Sequence, residues 1–397
     1  EARAIHLIGR LQKTLSIDDY MYDLAAEVES YHLSLFVFTI EDLFLDKGVV
    51  TGKLYEDGQW ISKEVPIPLF IDVEPNVFTS LASRKVLSSL REIATLSSTV
   101  RYPLPRSRYK KYFKKGSYFY ERMIFREKVQ SIEELQEILE NEESIRVTPV
   151  GRAKDRMIVI QEGDTLKLYR ERDTILLGHD ISVLTPYLGQ KGFFVEKFIP
   201  SKIDSLKETQ GYAHFEKNGE GKWVLVQTNI HSTITLEEFY NDYYKENALE
   251  LFHAAEEDLY RFAHAVEISR KREFIDLVIH FSIDSEGKMY FRHVTKNINL
   301  KENIEKVVKL RAAYYAFKAE SLGVFQIESA EDLIRQRVEN REIEEALIDF
   351  QEKEEEKQRL IEQGILKPEK KEWTLFSVLI IIAIIFALLR YVLRVFM

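Results

Sequence analysis

The sequence predicts a mixed α/β and α+β protein. Its parts are a small N-terminal α/β domain (1–100), a basic connector (101–115), a larger α+β domain (116–318), a charged helical stalk (319–366) and a single C-terminal transmembrane helix within 367–397. Three observations carry this expectation. A strand–helix–strand alternation opens the chain, and apolar runs paired around turn residues recur through its middle. Residues 328–363 keep an apolar stripe at helical spacing inside a run dense in charge. Residues 373–389 are 17 in number and carry no charge, as a bilayer-spanning helix requires.

The first domain begins with a strand at Ile5, His6, Leu7 and Ile8, a helix over 17–32 and a second strand over 33–39. Two alternating runs, 49–55 and 59–62, flank Glu56, Asp57 and Gly58, a strong hairpin signal. No GxGxxG follows the first strand, so a dinucleotide fingerprint is absent.

The connector holds seven basic residues, Arg101, Arg106, Arg108, Lys110, Lys111, Lys114 and Lys115, with Tyr102, Tyr109, Tyr112 and Phe113 among them. It reads as a patch for anionic lipid, as an aromatic-rich strip for RNA, or as a solvated inter-domain loop.

In the larger domain a strand is expected over 118–125, then a helix over 132–141 capped by Ser131 with Glu134 three positions on. Strands at 145–150 and 157–160 bracket a turn. Further hairpins are expected around 217–222 and 284–288, with a mostly helical stretch over 236–269 between them. The stalk helix carries Leu333, Ile334, Val338, Ile343, Ala346, Leu347 and Phe350 as its stripe and ends at Gly364 and Pro368.

Residues 373–389 would span roughly 26 Å as a helix. Trp373 stands at the interface where an aromatic belongs, and Arg390 and Arg394 can snorkel to the far headgroups. Lys367, Lys370 and Lys371 precede the span. No basic region followed by an apolar one marks the N-terminus as a leader. The expectation is therefore a single-pass membrane protein with a cytoplasmic N-terminal body.

Composition narrows the chemistry. Apolar residues make 45% and charged residues 30% of the chain, with 24 Phe and 20 Tyr to build a core. Only 9 Pro and 16 Gly speak against long disordered tracts. There is no cysteine, which removes disulfides, thiolate zinc sites, iron–sulfur clusters and a cysteine nucleophile. The net charge of −9 gives no drive toward nucleic acid, and no nucleic-acid partner is expected. Ser-His-Asp, HExxH, Walker and EF-hand patterns are all missing.

A resemblance adds to this reading. Residues 193–199, Phe-Phe-Val-Glu-Lys-Phe-Ile, come about 45 residues after 147–151, and 274–296 come about 80 residues further on. That order and spacing resemble an ATP-grasp fold. More narrowly, the chain resembles the YheC/YheD family of bacterial spore coat-associated proteins. The hairpin from Gly52 to Trp60 followed by Pro66, Ile67 and Pro68 is similar to that family's N-terminal domain. Residues 211–227 are similar to its "DxRvxvQ…GxW" hairpin.

The resemblance implies a site for ATP and Mg²⁺, and most of its residues are replaced. The phosphate-facing lysine of the family's "KP" pair is Thr148 before Pro149. The glycine-rich loop is reduced to Gly151, followed by Arg152, Ala153, Lys154, Asp155 and Arg156, with Lys154 left as a phosphate contact. The three oxygen ligands for Mg²⁺ fall at His280, His293 and Thr295, so no metal is expected there. The Asp and Arg of the "DxR" hairpin are missing. Glu196, Phe198 and Ile199 do match the adenine-binding hinge. His280 and His293 can face each other across their hairpin and, with His214, would make a soft-metal site; simple replacement stays open beside it.

The expected function is a membrane-anchored pseudoenzyme of degenerate ATP-grasp fold, a binding or scaffold module acting, by family analogy, in spore envelope assembly. Its expected partners are the bilayer and an unidentified protein, with no catalytic residue and no cofactor. One alternative is an active ATP-dependent carboxylate–amine ligase using ATP and Mg²⁺ through relocated ligands at Asp276, Asp284 and Glu286. Another is an anionic-lipid-surface adaptor using the connector.

Overall fold

The computed structural model describes residues 6–322 apart from 76, 152–154, 164, 171–172, 179–180, 186–191, 232, 271 and 297–302. Its first layer grows from two parallel strands, β1 (Leu7–Leu11) and β2 (Ser34–Phe38), buried at nearly every position. Strands covered on both faces have to read this way. The crossover between them is α1 (Asp19–Ser30). Asp18, in extended conformation, accepts a hydrogen bond from Met21 N at 3.0 Å and so starts the helix. Met21, Leu24, Ala25 and Val28 then fall on one buried stripe.

The sheet continues through β3 (Leu43–Phe44), β4 (Val49–Glu56), β5 (Gln59–Pro66) and β6 (Phe70–Val73). After α2 (Leu81–Ile93) comes the short β7 (Thr95–Leu96). The order is β3-β4-β2-β1-β6-β7, with β5 added to β4. The expected hairpin turns at Asp57 and Gly58, both with positive φ (51° and 78°), which suits the twist of the strands it joins. Gly52 lets β4 come close to β2: a Cβ there would lie 2.4 Å from the Val37 carbonyl oxygen.

Residues 118–125 are not the strand that their aromatics suggested. Tyr118–Glu121 form a single helical turn, α3. Phe119 packs in T-shaped contact with Phe291 and tilted against Phe262, so aromatic burial, not strand pairing, accounts for those residues. The strand begins later, as β8 (Arg126–Val129). The helix α4 (Ile132–Leu139) starts where expected, with Ser131 Oγ accepting from Glu134 N at 3.2 Å.

Then come β9 (Ser144–Pro149), β10 (Met157–Glu162), β11 (Thr165–Arg170), β12 (Asp173–Gly178) and β13 (Phe193–Lys197). They form a second, antiparallel sheet in the order β12-β11-β10-β9-β13-β8.

The third sheet contains β14 (Thr209–Lys217), β15 (Trp223–Ile230), β16 (Ile234–Thr235), β17 (Asp276–Ile283) and β18 (Met289–Thr295), in the order β16-β15-β14-β17-β18. Between β16 and β17 lie α5 (Leu236–Tyr244) and α6 (Ala248–Arg270), and α7 (Ile304–Ser321) follows. Alternation sorts the sheet into two faces. Ala213, Phe215, Leu277, Ile279 and Phe281 are wholly buried in the core with Leu259, Phe262 and Val266 of α6. Phe262 stacks on Phe291 with centroids 3.8 Å apart. The other positions are polar but for Val278: Tyr212, His214 and Glu216 on β14; Asp276, His280 and Ser282 on β17.

The connector is not a free loop. Arg106–Lys111 form a 3₁₀ turn, Leu104 and Tyr109 are buried, and Leu104 bridges Val294. Among the described residues no helix is long and apolar enough to cross a membrane. Residues 323–397, with the stalk helix, the apolar stretch, Trp373, Arg390 and Arg394, lie outside the described residues.

Candidate functional site

Glu196 is the fourth residue of β13, where it opposes Arg126 on one neighbouring strand and Arg146 on the other. Three guanidiniums surround its carboxylate. Arg106 NH1 donates to Oε1 at 2.6 Å, Arg126 Nε lies 3.7 Å away, and Arg146 NH1 is 3.5 Å from Oε2. The connector therefore sends one of its basic residues onto the C-terminal end of β13.

A second carboxylate continues the array. Glu208 accepts from Arg146 NH2, from Arg292 NH1 at 3.0 Å, from Gln210 Nε2 at 2.8 Å and from Ile199 N at 3.2 Å. Burial raises the pKa of this carboxyl, but Arg292 and Arg146 outweigh it and hold the group below the usual carboxylate range. Four guanidiniums thus meet two carboxylates, and the site keeps an excess of positive charge.

The histidines stand beside that excess. His280 and His293 are register partners on β17 and β18, and their rings stack 4.2 Å apart at an angle of 6°. His280 Nε2 is 3.2 Å from Thr295 Oγ1. Arg106 Nε donates to His293 Nδ1 at 3.3 Å, so the other nitrogen of that ring carries its proton. Burial, then Arg106 and Arg292, lower the pKa of His280 to about 4. For His293 burial, His280 and the same arginines lower it to about 2.

These residues do not fit a hard divalent cation. Mg²⁺ takes oxygen ligands in near-octahedral array, whereas the three positions present two neutral imidazoles and one hydroxyl. Arg106 and Arg292 already supply fixed positive charge there, and it would repel a metal ion. Nor does the soft-metal grouping form. His214 opposes Val278 rather than His280, and its Nε2 lies 3.0 Å from Glu216 Oε1. Among the described residues no group of three or more His, Cys, Asp or Glu side chains can hold a metal ion.

The other candidates fall as follows. Phe198 is buried, with the Arg146 guanidinium 5.3 Å from its ring centroid, and Ile199 is buried beside it. Thr148 opposes Phe194 on β13. Lys154 lies outside the described residues, with Arg152 and Ala153. Asp276 is buried, 3.8 Å from Arg311 NH2. Asp284 accepts from the backbone of Glu286 and Lys288, at 2.9 Å each, and so holds the hairpin turn in which Glu286 is exposed. Asp276 opens β17 and Asp284 follows its end, about 26 Å away by strand rise. They cannot share one ion.

Arg146, Glu208 and Arg292 escaped the sequence reading. So did a second buried cluster. Arg10 NH1 donates to Asp72 Oδ2 at 2.9 Å, Tyr315 Oη to the same oxygen at 2.7 Å and Ser97 Oγ to Oδ1 at 2.8 Å. Lys296 Nζ lies 3.7 Å from Oδ1 and donates to the Val73 and Ser98 carbonyls. Arg311 grips Glu216 through Nε at 3.2 Å and NH2 at 2.5 Å. The signal for all of these is a charge inside an otherwise apolar strand or helix face, as in β1, β6, β9 and β18.

A scan of protein-family models finds no match, and a search of curated proteins by sequence finds none. The solved structures to which the chain is similar are ATP-grasp enzymes. The D-alanine–D-alanine ligase of Coxiella burnetii is 11% identical, with a TM-score of 0.41 over 86% of this chain and 99% of that one. A RimK-domain ATP-grasp protein of Sphaerobacter thermophilus is 10% identical, with a TM-score of 0.41 over 78% and 98%. The C-terminal domain of the ATP-grasp enzyme Pby1 from K. lactis is 9% identical, with a TM-score of 0.44 over 77% and 91%.

Proposed function

We propose that this chain is an ATP-grasp-type module without ligase chemistry, a binding or scaffold protein related to the YheC/YheD family. In this reading residues 373–389 hold it at a membrane, with its N-terminal body in the cytoplasm and a protein as its further partner. Spore envelope assembly is the setting that the family analogy suggests. The fold part rests on the succession of an α/β layer and two antiparallel sheets, with Glu196 at the end of β13 and the β17–β18 pair opposite it.

The loss of chemistry rests on one observation. Arg106 spans from Glu196 to His293, the residues at which the resemblance expects nucleotide and metal. A guanidinium bonded to the hinge carboxylate competes with a base for it. One that donates to His293 directs positive charge at the metal positions.

The test is calorimetry of the full chain in non-ionic detergent with Mg-ATP, beside a phosphate-release assay. No heat of binding and no release above buffer is the expected result. Micromolar binding together with turnover would overturn the reading and restore the ligase alternative.

A further inference from the structure

Away from the cleft, the edge of the first sheet and the segment ahead of β17 border an open cavity of about 380 Å³. Arg91, Leu96, Ser97, Ser98, Arg272 and Glu273 line it. Arg91 belongs to the last turn of α2, and Arg272 follows the end of α6. Both arginines are exposed at the rim of the cavity, and burial of part of the Arg91 side chain, then the charge of Arg272, depress the pKa of Arg91. Arg270 is depressed by burial, Arg272 and Arg108. One connector arginine therefore belongs to the same basic cluster.

Among the described residues neither Arg91 nor Arg272 has an ion-pair partner. The carboxylate that lines the cavity, Glu273, is engaged elsewhere: it accepts from Tyr314 Oη and from Lys318 Nζ at 3.0 Å. Ser98 Oγ accepts from Val100 N at 3.4 Å, which leaves its own hydrogen to donate. Two like charges lining one cavity repel weakly in solvent, and an anion between them replaces that repulsion with attraction. Guanidiniums suit an anion with several acceptor oxygens in fixed array.

We propose that this cavity is an oxyanion site for a phosphate group, with Arg91 and Arg272 as its charged donors and Ser98 Oγ as its neutral one. The phosphate is that of a lipid headgroup or of a free phosphorylated molecule. The site shares no residue with the cleft and stands whether or not the cleft binds nucleotide.

The experiment uses the full chain in non-ionic detergent at ionic strength held constant with sodium chloride. Inorganic phosphate is titrated first, then micelles doped with phosphatidic acid, with melting temperature and calorimetry as readouts. A saturable rise in Tm is expected. Arg91→Gln or Arg272→Gln should each weaken binding about tenfold, and the double variant should abolish it. Response to inorganic phosphate alone assigns the site to free phosphorylated ligands, and response only to doped micelles assigns it to a headgroup. Without ligand, Arg272→Gln should melt no lower than wild type, because the substitution relieves repulsion. A merely structural arginine would melt lower, and that would count against the site. The proposal is overturned if neither probe binds, or if both bind the double variant as they bind wild type.

Discussion

His280 and His293 lie ring over ring, 4.2 Å apart, with Arg106 and Arg292 close enough to depress both. Both rings are therefore neutral in the folded chain at neutral pH, whereas an unfolded histidine titrates near 6.5. The folded state binds fewer protons below that value. The stability contributed by the neutral pair is complete above about pH 7 and drains away as pH falls toward 4. His280 alone accounts for about 3 kcal/mol across that window. Urea unfolding at several pH values checks this, with His280→Gln/His293→Gln expected to flatten the slope. A wild-type profile that is already flat would contradict it.

Arg106→Ala should cost about 1.5–3 kcal/mol, since it removes a charge-assisted bond from the part-buried Glu196 and leaves the more distant Arg126 and Arg146. It also withdraws a cation from the histidine pair. Their imidazole resonances should then titrate at higher pH than in wild type. Unfolding and NMR titration of the same variant test both halves.

Asp72→Asn should cost about 3–5 kcal/mol, because it leaves buried cations without their counterion. Burial works against this carboxylate, yet Lys296 and Arg10 hold its pKa well below the usual range. The measurement is the unfolding midpoint in urea, and a change under 1 kcal/mol would refute the assignment.

Gly52→Ala should destabilise by about 1–3 kcal/mol through forced separation of β4 from β2. Gly48→Ala tests a different cause. Gly48 has φ of 68° and nothing within 4 Å of an added Cβ, so its cost is backbone strain alone, about 1 kcal/mol. Thermal melting of the pair separates steric from conformational demands.

What the sequence made legible was local. The hairpin around Glu56, Asp57 and Gly58 carried its turn residues and α4 its cap, while the pairing of His280 with His293 on β17–β18 came from the family resemblance. Tyr118–Glu121 misled because aromatic residues are as ready to bury a helical turn as a strand. Arg106 was legible as part of a basic run but not as a cleft residue. Its partners Glu196 and His293 lie 90 and 187 positions away, and no local pattern encodes a pairing at that distance. The same holds for Arg292 with Glu208 and for Arg311 with Glu216.

Tyr315 completes its hydrogen bond to Asp72 across 243 residues, and Lys296 reaches Ser97 across 199. A ribosome working at its ordinary pace needs roughly 12–50 s to deliver Tyr315 after Asp72 has been added. Until Lys296 has been added, Arg10 and Ser97 are the partners of Asp72 that the chain can offer from this cluster. Synthesis of α7 is therefore the event that completes the hydrogen bonds to Asp72. A chain released before residue 296 would carry an N-terminal layer that translation had left electrically unfinished.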